Sequence, residues 1–419
     1  MSKRPEKMTD AEHNLEIQMS LAKKTRGADI ATIIITLAII FGFAAAIYIV
    51  PDAQFSEQEN RYLQQFPALS SEGKHFDRFF SGKFTSEIAD YYSDQFPARD
   101  VFVGMKGVAE IALCKTENNN VVLGSGGYII KRNGYPDYTT LDKNIKSLTA
   151  FASATSELDI PYTVALAGRG EDVLTPYLPT LYPTDICEKL WAYTKGSFSN
   201  IAGMSYIDLR APIAEAVVSG SEQLYYRTDH HWTSAGAFMA YNIIAPSLSI
   251  ENPLAMSDIT VEDVSDAFYG TTWSSAGMKW IAPDSIEYYR YNGDMSYKTH
   301  IADTDTEFDG FYDRSYLEKK DKYSSFIGGN NARADVYAVG ENGEPIGGRK
   351  KLLVIKDSFA HSVAPFLARD YDLVILDLRY YKSSVKQLCA DEGIDAVLVL
   401  VNIDSLTAAN TFGILQMGL

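Results

Sequence analysis

From about residue 120 the chain alternates short apolar runs with stretches of helical spacing. VVLGSGGYII reads as strand, turn and strand. Leu141–Leu158 reads as a helix, YTVALAG (Tyr162–Gly168) as a strand ending in a glycine loop, and residues 184–199 as a second helix. MSYIDL (Met204–Leu209) is a strand followed by the helix APIAEAVVS. Thr233 is placed as the N-cap of the helix TSAGAFMAYNII. The rhythm resumes with the strand KLLVIKDS (Lys351–Ser358), the helix AHSVAPFLARD, the strand YDLVILDL, the helix SSVKQLCADE and the strand DAVLVLVN. Runs such as VLVLV are apolar at every position, as in strands buried on both faces. The pattern therefore predicts an α/β fold whose parallel sheet is covered by helices on both sides.

Two regions break the rhythm. Residues 262–350 are rich in Tyr, Asp and Gly, with Asn342-Gly343 as a hairpin turn, and are read as an insertion or lid. Within them DTEFDGFYDRSY resembles a calcium loop through Asp305, Glu307, Asp309 and Gly310, but Tyr316 stands where the twelfth-position acid belongs. Residues 51–105 read as a helical segment. Phe79, Phe80, Phe84, Ile88, Tyr92 and Phe96 recur at helical spacing, which predicts a helix packed on the main domain and ended by Pro97.

Ile30–Val50 carries no charge and is long enough to span a hydrocarbon core of about 30 Å. Lys23, Lys24 and Arg26 precede it, so residues 1–29 are expected in the cytoplasm and the rest of the chain outside. The run continues past Ala44–Ala46 and exceeds a signal-peptide core of about 7–15 residues, which favours an uncleaved anchor. The expected organisation is a tail (1–29), an anchor (30–50), a helical juxtamembrane segment (51–105) and a catalytic domain (106–419).

A formal charge of −16 makes nucleic acid an unsuitable partner. Cys114, Cys187 and Cys389 have neither zinc-site nor disulfide-framework spacing. No cofactor is expected.

The chemistry concentrates at two places. Ser358 follows an apolar strand and precedes a helix, at the carboxyl edge of the sheet, where ligands gather. A serine there lies near backbone N–H groups that can stabilise an oxyanion, but it needs a base, normally a histidine oriented by a carboxylate. RTDHHWT supplies both about 130 residues earlier: in an extended segment Asp229 and His231 point to the same side and His230 points away. Each residue has an ordinary reading too. Ser358 can be a helix cap, the paired histidines structural, Trp232 a core residue beneath the site and His361 a helix-surface residue. Asp229, His230 and His231 have no obvious further metal ligand nearby, so no metal site is assigned. Phe359, through its backbone, and Asn402, at the end of VLVLVN, are oxyanion candidates; Arg379, Tyr380 and Tyr381 follow another strand end and are candidates for substrate contact.

TDHHWT, preceded by LYYR and followed by GAFMAY, resembles the DHHW family of bacterial envelope proteins. FSEQENRYLQQFP, FPARD, KDKYSSFIGGNN, IKDSFAHSVAPFL and DLRYY extend the resemblance over roughly residues 50–410. That family is similar in turn to the alginate O-acetyltransferases, whose SGNH-hydrolase-like α/β/α domain carries an Asp-x-His motif before its serine. The resemblance implies a three-layer domain and a Ser358–His231–Asp229 triad that moves acyl groups to an envelope glycan. It also implies a multispanning membrane acyltransferase as the acyl source. The sequence departs from the SGNH pattern at Lys356-Asp357-Ser358, where that pattern has Gly-Asp-Ser, and matches its third-block asparagine only loosely with Asn402. An esterase using the same triad, a non-catalytic envelope scaffold and a metal-dependent hydrolase are the competing readings.

Overall fold

A computed structural model describes residues 9–56, 61–67, 79–220 and 222–419. The chain divides into two compact units, Met1–Ser56 with Arg61–Phe102, and Glu57–Asn60 with Val103–Leu419.

The first unit holds the long helix Asp10–Ile49, of which Arg26–Ile49 is long and apolar enough to cross a membrane. Its other described elements include a two-residue strand pair (Phe55–Ser56 with Arg61–Tyr62) and the helix Lys83–Asp94. Tyr91 of that helix packs edge-on to Phe66 and donates its hydroxyl to Asp52. Part of the stretch expected to be helical, residues 57–60 and 68–78, lies outside the described residues. Helix Lys83–Asp94 does end before Pro97, and a second helix, Arg99–Ala112, follows.

The second unit is built on an eight-stranded sheet. Its strands are β1 (Tyr162–Ala167), β2 (Met204–Asp208), β3 (Tyr297–Ile301), β4 (Thr306–Asp309), β5 (Arg333–Ala338), β6 (Lys351–Lys356), β7 (Asp372–Leu376) and β8 (Ala396–Asn402). The order is β4-β3-β5-β7-β6-β8-β1-β2. The five strands from β7 to β2 are parallel, and the other three continue the sheet antiparallel.

Alternation along each parallel strand divides the core in two. Ala165, Leu352, Val354, Ile375, Leu398 and Leu400 pack beneath Ile213, Val217, Ala240, Tyr241 and Ile244, on helices Arg210–Ser219 and Ser234–Ile244. Val164, Leu353, Ile355, Leu376, Val397 and Val399 face Leu148, Phe151, Leu190, Trp191 and Leu388 on the other side. Both faces are covered, which is why these strands read as unbroken apolar runs.

The segment 262–350 contributes β3, β4 and β5 to this sheet and most of an antiparallel pair, Ile259–Phe268 with Asp284–Tyr291. The calcium-like acids belong to the β3–β4 hairpin: Asp305 sits at its turn, and Glu307 pairs with Lys298 on the neighbouring strand. Asn342-Gly343 does form a turn, with Gly343 N–H donating to Gly340 O at φ +78. The helix expected after Ser358 is instead a 3₁₀ turn, Ser358–Ser362, and a short helix, Ala364–Leu367. Asp357 caps the turn through the Phe359 N–H, and Pro365 lacks the N–H that would let one helix run through.

Thr233 caps helix Ser234–Ile244 as expected, accepting from Gly236 N–H. Gly236 is itself required. A Cβ there would lie 2.2 Å from Leu224 O and 2.8 Å from Trp232 Cβ. Gly→Ala within a helix ordinarily stabilises. Here G236A is expected to destabilise by about 1–3 kcal/mol through overpacking, read as a fall in Tm on thermal denaturation.

Candidate active site

The carboxyl ends of β1, β6 and β8 converge. Ser358 follows β6, Asn402 ends β8 and Gly168 follows β1. Asp357 ties these ends together: one carboxylate oxygen accepts from Phe359 N–H at 3.0 Å, the other from Asn402 N–H at 2.7 Å and Ser405 hydroxyl at 2.6 Å. This bracing holds the half-buried Ser358 at a fixed turn.

The other half of the site is the loop between Tyr225 and Trp232, which pair as an antiparallel bridge. Asp229 Oδ1 accepts both the His231 backbone N–H at 3.1 Å and His231 Nδ1 at 2.5 Å. Asp229 and His231 therefore share a side because the carboxylate closes a local turn on its own backbone, not because the segment is extended. Asp229 Oδ2 accepts from Thr271 N–H at 2.6 Å and Thr271 hydroxyl at 2.9 Å. Burial alone would raise this carboxyl, but the two imidazoles and these hydrogen bonds hold it well below the usual carboxylate range. It is therefore ionised at neutral pH, so Nδ1–H of His231 donates to it and Nε2 is left as an acceptor. That nitrogen lies 2.6 Å from Ser358 Oγ. Serine, imidazole and buried carboxylate form one hydrogen-bonded line, the arrangement in which an imidazole can take a serine proton and a fixed negative charge can steady the resulting cation.

The surrounding residues fix both halves. Trp232 is fully buried beneath the site and donates Nε1–H to Phe359 O and to Ser362 Oγ, each at 3.0 Å. Asp284 accepts from the Arg227 and Thr228 N–H groups and the Thr228 hydroxyl, which anchors the start of the loop. Tyr323 stacks on His231. Thr271 and Asp284 stand in no stretch singled out from the sequence, and Tyr323, within KDKYSSFIGGNN, carries no assigned role there; all three reach the loop by tertiary folding of the 262–350 segment.

Several residues lie differently from expectation. His230 does not point away: its ring centroid is 3.8 Å from that of His231 and its Nδ1 meets the Thr271 hydroxyl at 2.8 Å. The Phe359 N–H is engaged by Asp357, whereas Asn402 Nδ2 gives one of its two N–H groups to Gly168 O at 2.9 Å. The Ser358 N–H has no acceptor among the described residues. Arg379 is paired with Asp377 and bonded to Asn330, Tyr380 is exposed beside it, and Tyr381 packs into the core; none of the three joins the line. His361 is buried rather than on a helix surface. Its Nε2 meets the buried Lys356 ammonium at 2.7 Å, and Lys356 also pairs with Asp377 at 3.1 Å. Burial and that ammonium keep the His361 imidazole far below its ordinary value, and its Nε2 faces Lys356 rather than Ser358. Asp229, His230 and His231 have ligand atoms within 4.8 Å of one another, but each is engaged by its neighbours or by Thr271 and Ser358.

This geometry can be set beside known proteins. A protein-family model described as DHHW protein matches residues 203–376. The matched span includes Asp229, His231 and Ser358. The chain is also 22% identical over 184 residues to "Probable alginate O-acetylase AlgJ" of Pseudomonas fluorescens, and 23% identical over 184 residues to the protein of the same description from Pseudomonas syringae. Each match covers 42% of this chain and 45% of the relative, so the chain spans less than half the length of these curated relatives. Among solved structures, a DHHW family protein from Eubacterium siraeum superposes with a TM-score of 0.57 at 22% identity, covering 71% of this chain and 95% of that one. PatB1 of Bacillus cereus superposes with a TM-score of 0.55 at 20% identity, covering 70% and 98%. The α/β fold with its largely parallel sheet is shared with these structures.

The pH dependence of the line has a definite sign. A carboxyl held below its unfolded value of about 3.9 stabilises the fold above that pH, and the contribution is lost as pH falls further. Asp229 therefore adds no titration between pH 5 and 8. Its seat is tight: a Cβ on Gly270 would lie 2.3 Å from Asp229 Cβ. G270A should displace the carboxylate, and a misplacement of about 1 Å can cost about 10²-fold in reactivity. The check is the rate at which a sulfonyl fluoride labels Ser358 in G270A and wild type.

Proposed function

We propose that this chain is an O-acyltransferase, with acetyl as the transferred group. It acts outside the membrane on a cell-envelope polysaccharide, through a Ser358–His231–Asp229 triad and an acyl-serine intermediate. The observation that carries the reading is the continuous line from Asp229 through His231 to Ser358 Oγ, with contacts of 2.5 and 2.6 Å across 127 residues of sequence.

In the first half-reaction His231 Nε2 takes the serine proton as Oγ bonds to the acyl carbonyl carbon. The tetrahedral oxyanion faces the unpaired Ser358 N–H. Collapse breaks the bond to the donor, which leaves with the proton from His231. In the second half, His231 deprotonates a sugar hydroxyl, whose oxygen attacks the acyl carbon; the proton then returns to Ser358. Asp229 stays ionised and steadies the imidazolium in both halves.

The curated relatives' name, alginate O-acetylase, supports acetyl and a polysaccharide acceptor. A PatB1 structure carries a sulfonyl adduct, a product that activated nucleophiles form. An SGNH-hydrolase-like domain fits the sheet covered on both faces and the Asp-x-His motif ahead of the serine. The apolar helix, with Lys23, Lys24 and Arg26 before it, supports a membrane anchor with the N-terminus in the cytoplasm. A multispanning acyltransferase would then be the partner that delivers acetyl across the bilayer.

Incubated with p-nitrophenyl acetate, the full chain should release a burst of p-nitrophenol equal to the enzyme present, and intact-mass analysis should find one acetyl on Ser358. S358A should lose both. D229N, which keeps the shape but alters the partner on Nδ1, should slow acylation by about 10⁴-fold. Acetyl passing to an added oligosaccharide supports a transferase; acetate release unaffected by any oligosaccharide would replace that reading with an esterase.

A further inference from the structure

Tyr323 lies in the 3₁₀ turn Lys322–Ser325, far in sequence from either half of the site. Its ring lies flat on the His231 imidazole, with centroids 4.0 Å apart and planes 9° apart. It is 3% exposed. Its hydroxyl donates to Ser358 O at 3.2 Å and shares a hydrogen bond with Ser362 Oγ at 3.1 Å. One side chain therefore touches the base with its face and the turn carrying the nucleophile with its hydroxyl. Such double engagement exceeds what core filling requires. The fully buried residues around it (Tyr226, Phe268 and Phe326) form an apolar cluster that any ring at this position would complete.

We propose that Tyr323 is a positioning residue: its ring face fixes the plane of His231 toward Ser358 Oγ and stabilises the imidazolium formed when the serine proton moves to Nε2. This rests on the triad proposed above. The face of an aromatic ring carries negative potential and attracts a cation held against it. The hydroxyl fixes where the ring sits, by tying it to the Ser358 carbonyl. The other titratable groups around His231 are Asp229 and His230 on its own loop, Tyr226 across the loop, Asp357 beside the nucleophile, and His361 with Lys356 on the far side of Tyr323. None of them offers His231 a parallel aromatic face.

The test uses the full chain and the pre-steady-state acylation rate with p-nitrophenyl acetate, measured across pH 5–9. Y323F keeps the face and should retain the acid limb of the profile. Y323L removes the face. Its rate should fall by about 2–30-fold, the size of a cation–π contact of about 0.5–2 kcal/mol. Its acid limb should move to lower pH by about 0.4–1.5 units, since an imidazolium that has lost a stabilising face gives up its proton more readily. A purely structural role would lower the amount of folded enzyme without moving the limb. Fluorinated phenylalanines incorporated at position 323 keep the shape and weaken the face stepwise, so they serve if Y323L does not fold; the rate should fall with each fluorine. An unmoved acid limb in Y323L, or a flat fluorination series, overturns the proposal. A wild-type chain that shows no burst overturns the triad itself and this inference with it.

Discussion

A buried carboxylate with four donors organises the site. Asp229 is withdrawn from water, and a charge in that position is tolerable only when its oxygens are hydrogen-bonded. Two of the four donors come from His231 and two from Thr271. The same bonds that satisfy the charge also set the imidazole's tautomer, point Nε2 at Ser358 and dock the helix Thr271–Ala276 against the loop. Gly270 is without a side chain where this helix approaches, since even a methyl group would occupy the carboxylate's place. Satisfying one charge thus fixes the geometry of three separate segments.

A second carboxylate does comparable work on the Ser358 side. Asp357 caps the turn that bears Ser358 and hydrogen-bonds to the end of β8. Behind it the buried Lys356 ammonium bonds both His361 Nε2 and Asp377 within the wall of the site. These groups answer the departure from Gly-Asp-Ser: the position before Asp357 holds a long cationic side chain because buried acceptors are in place to receive its ammonium.

Much of the architecture was legible in the sequence, and the reason is physical. Strands buried on both faces must be apolar at every position, so β1, β6, β7 and β8 announce themselves without any tertiary information. Thr233 could likewise be placed as a cap because a cap is a local interaction. The site was legible where its chemistry is local, as in Asp-x-His, or where a strand end exposes a side chain, as at Ser358. It was illegible where hydrogen-bond competition decides the outcome. Phe359 stands where a donor is wanted, yet Asp357 engages its N–H. The partners from residues 262–350 were hidden for a different reason: Tyr- and Asp-rich sequence shows no period that distinguishes an inserted lid from strands joining the sheet edge.

The placement of those partners bears on how the protein comes into being. His231 and Ser358 are separated by 127 residues, and the intervening chain supplies Thr271, Asp284, Tyr323 and four strands of the sheet, β3 to β6. Contacts so distant in sequence form late, after a large loss of chain entropy. In a partly folded chain Asp229 and His231 can meet locally, but neither Thr271 nor Ser358 is held beside them. The line from Asp229 to Ser358 is thus complete only once β6 and β8 have entered the sheet between β7 and β1.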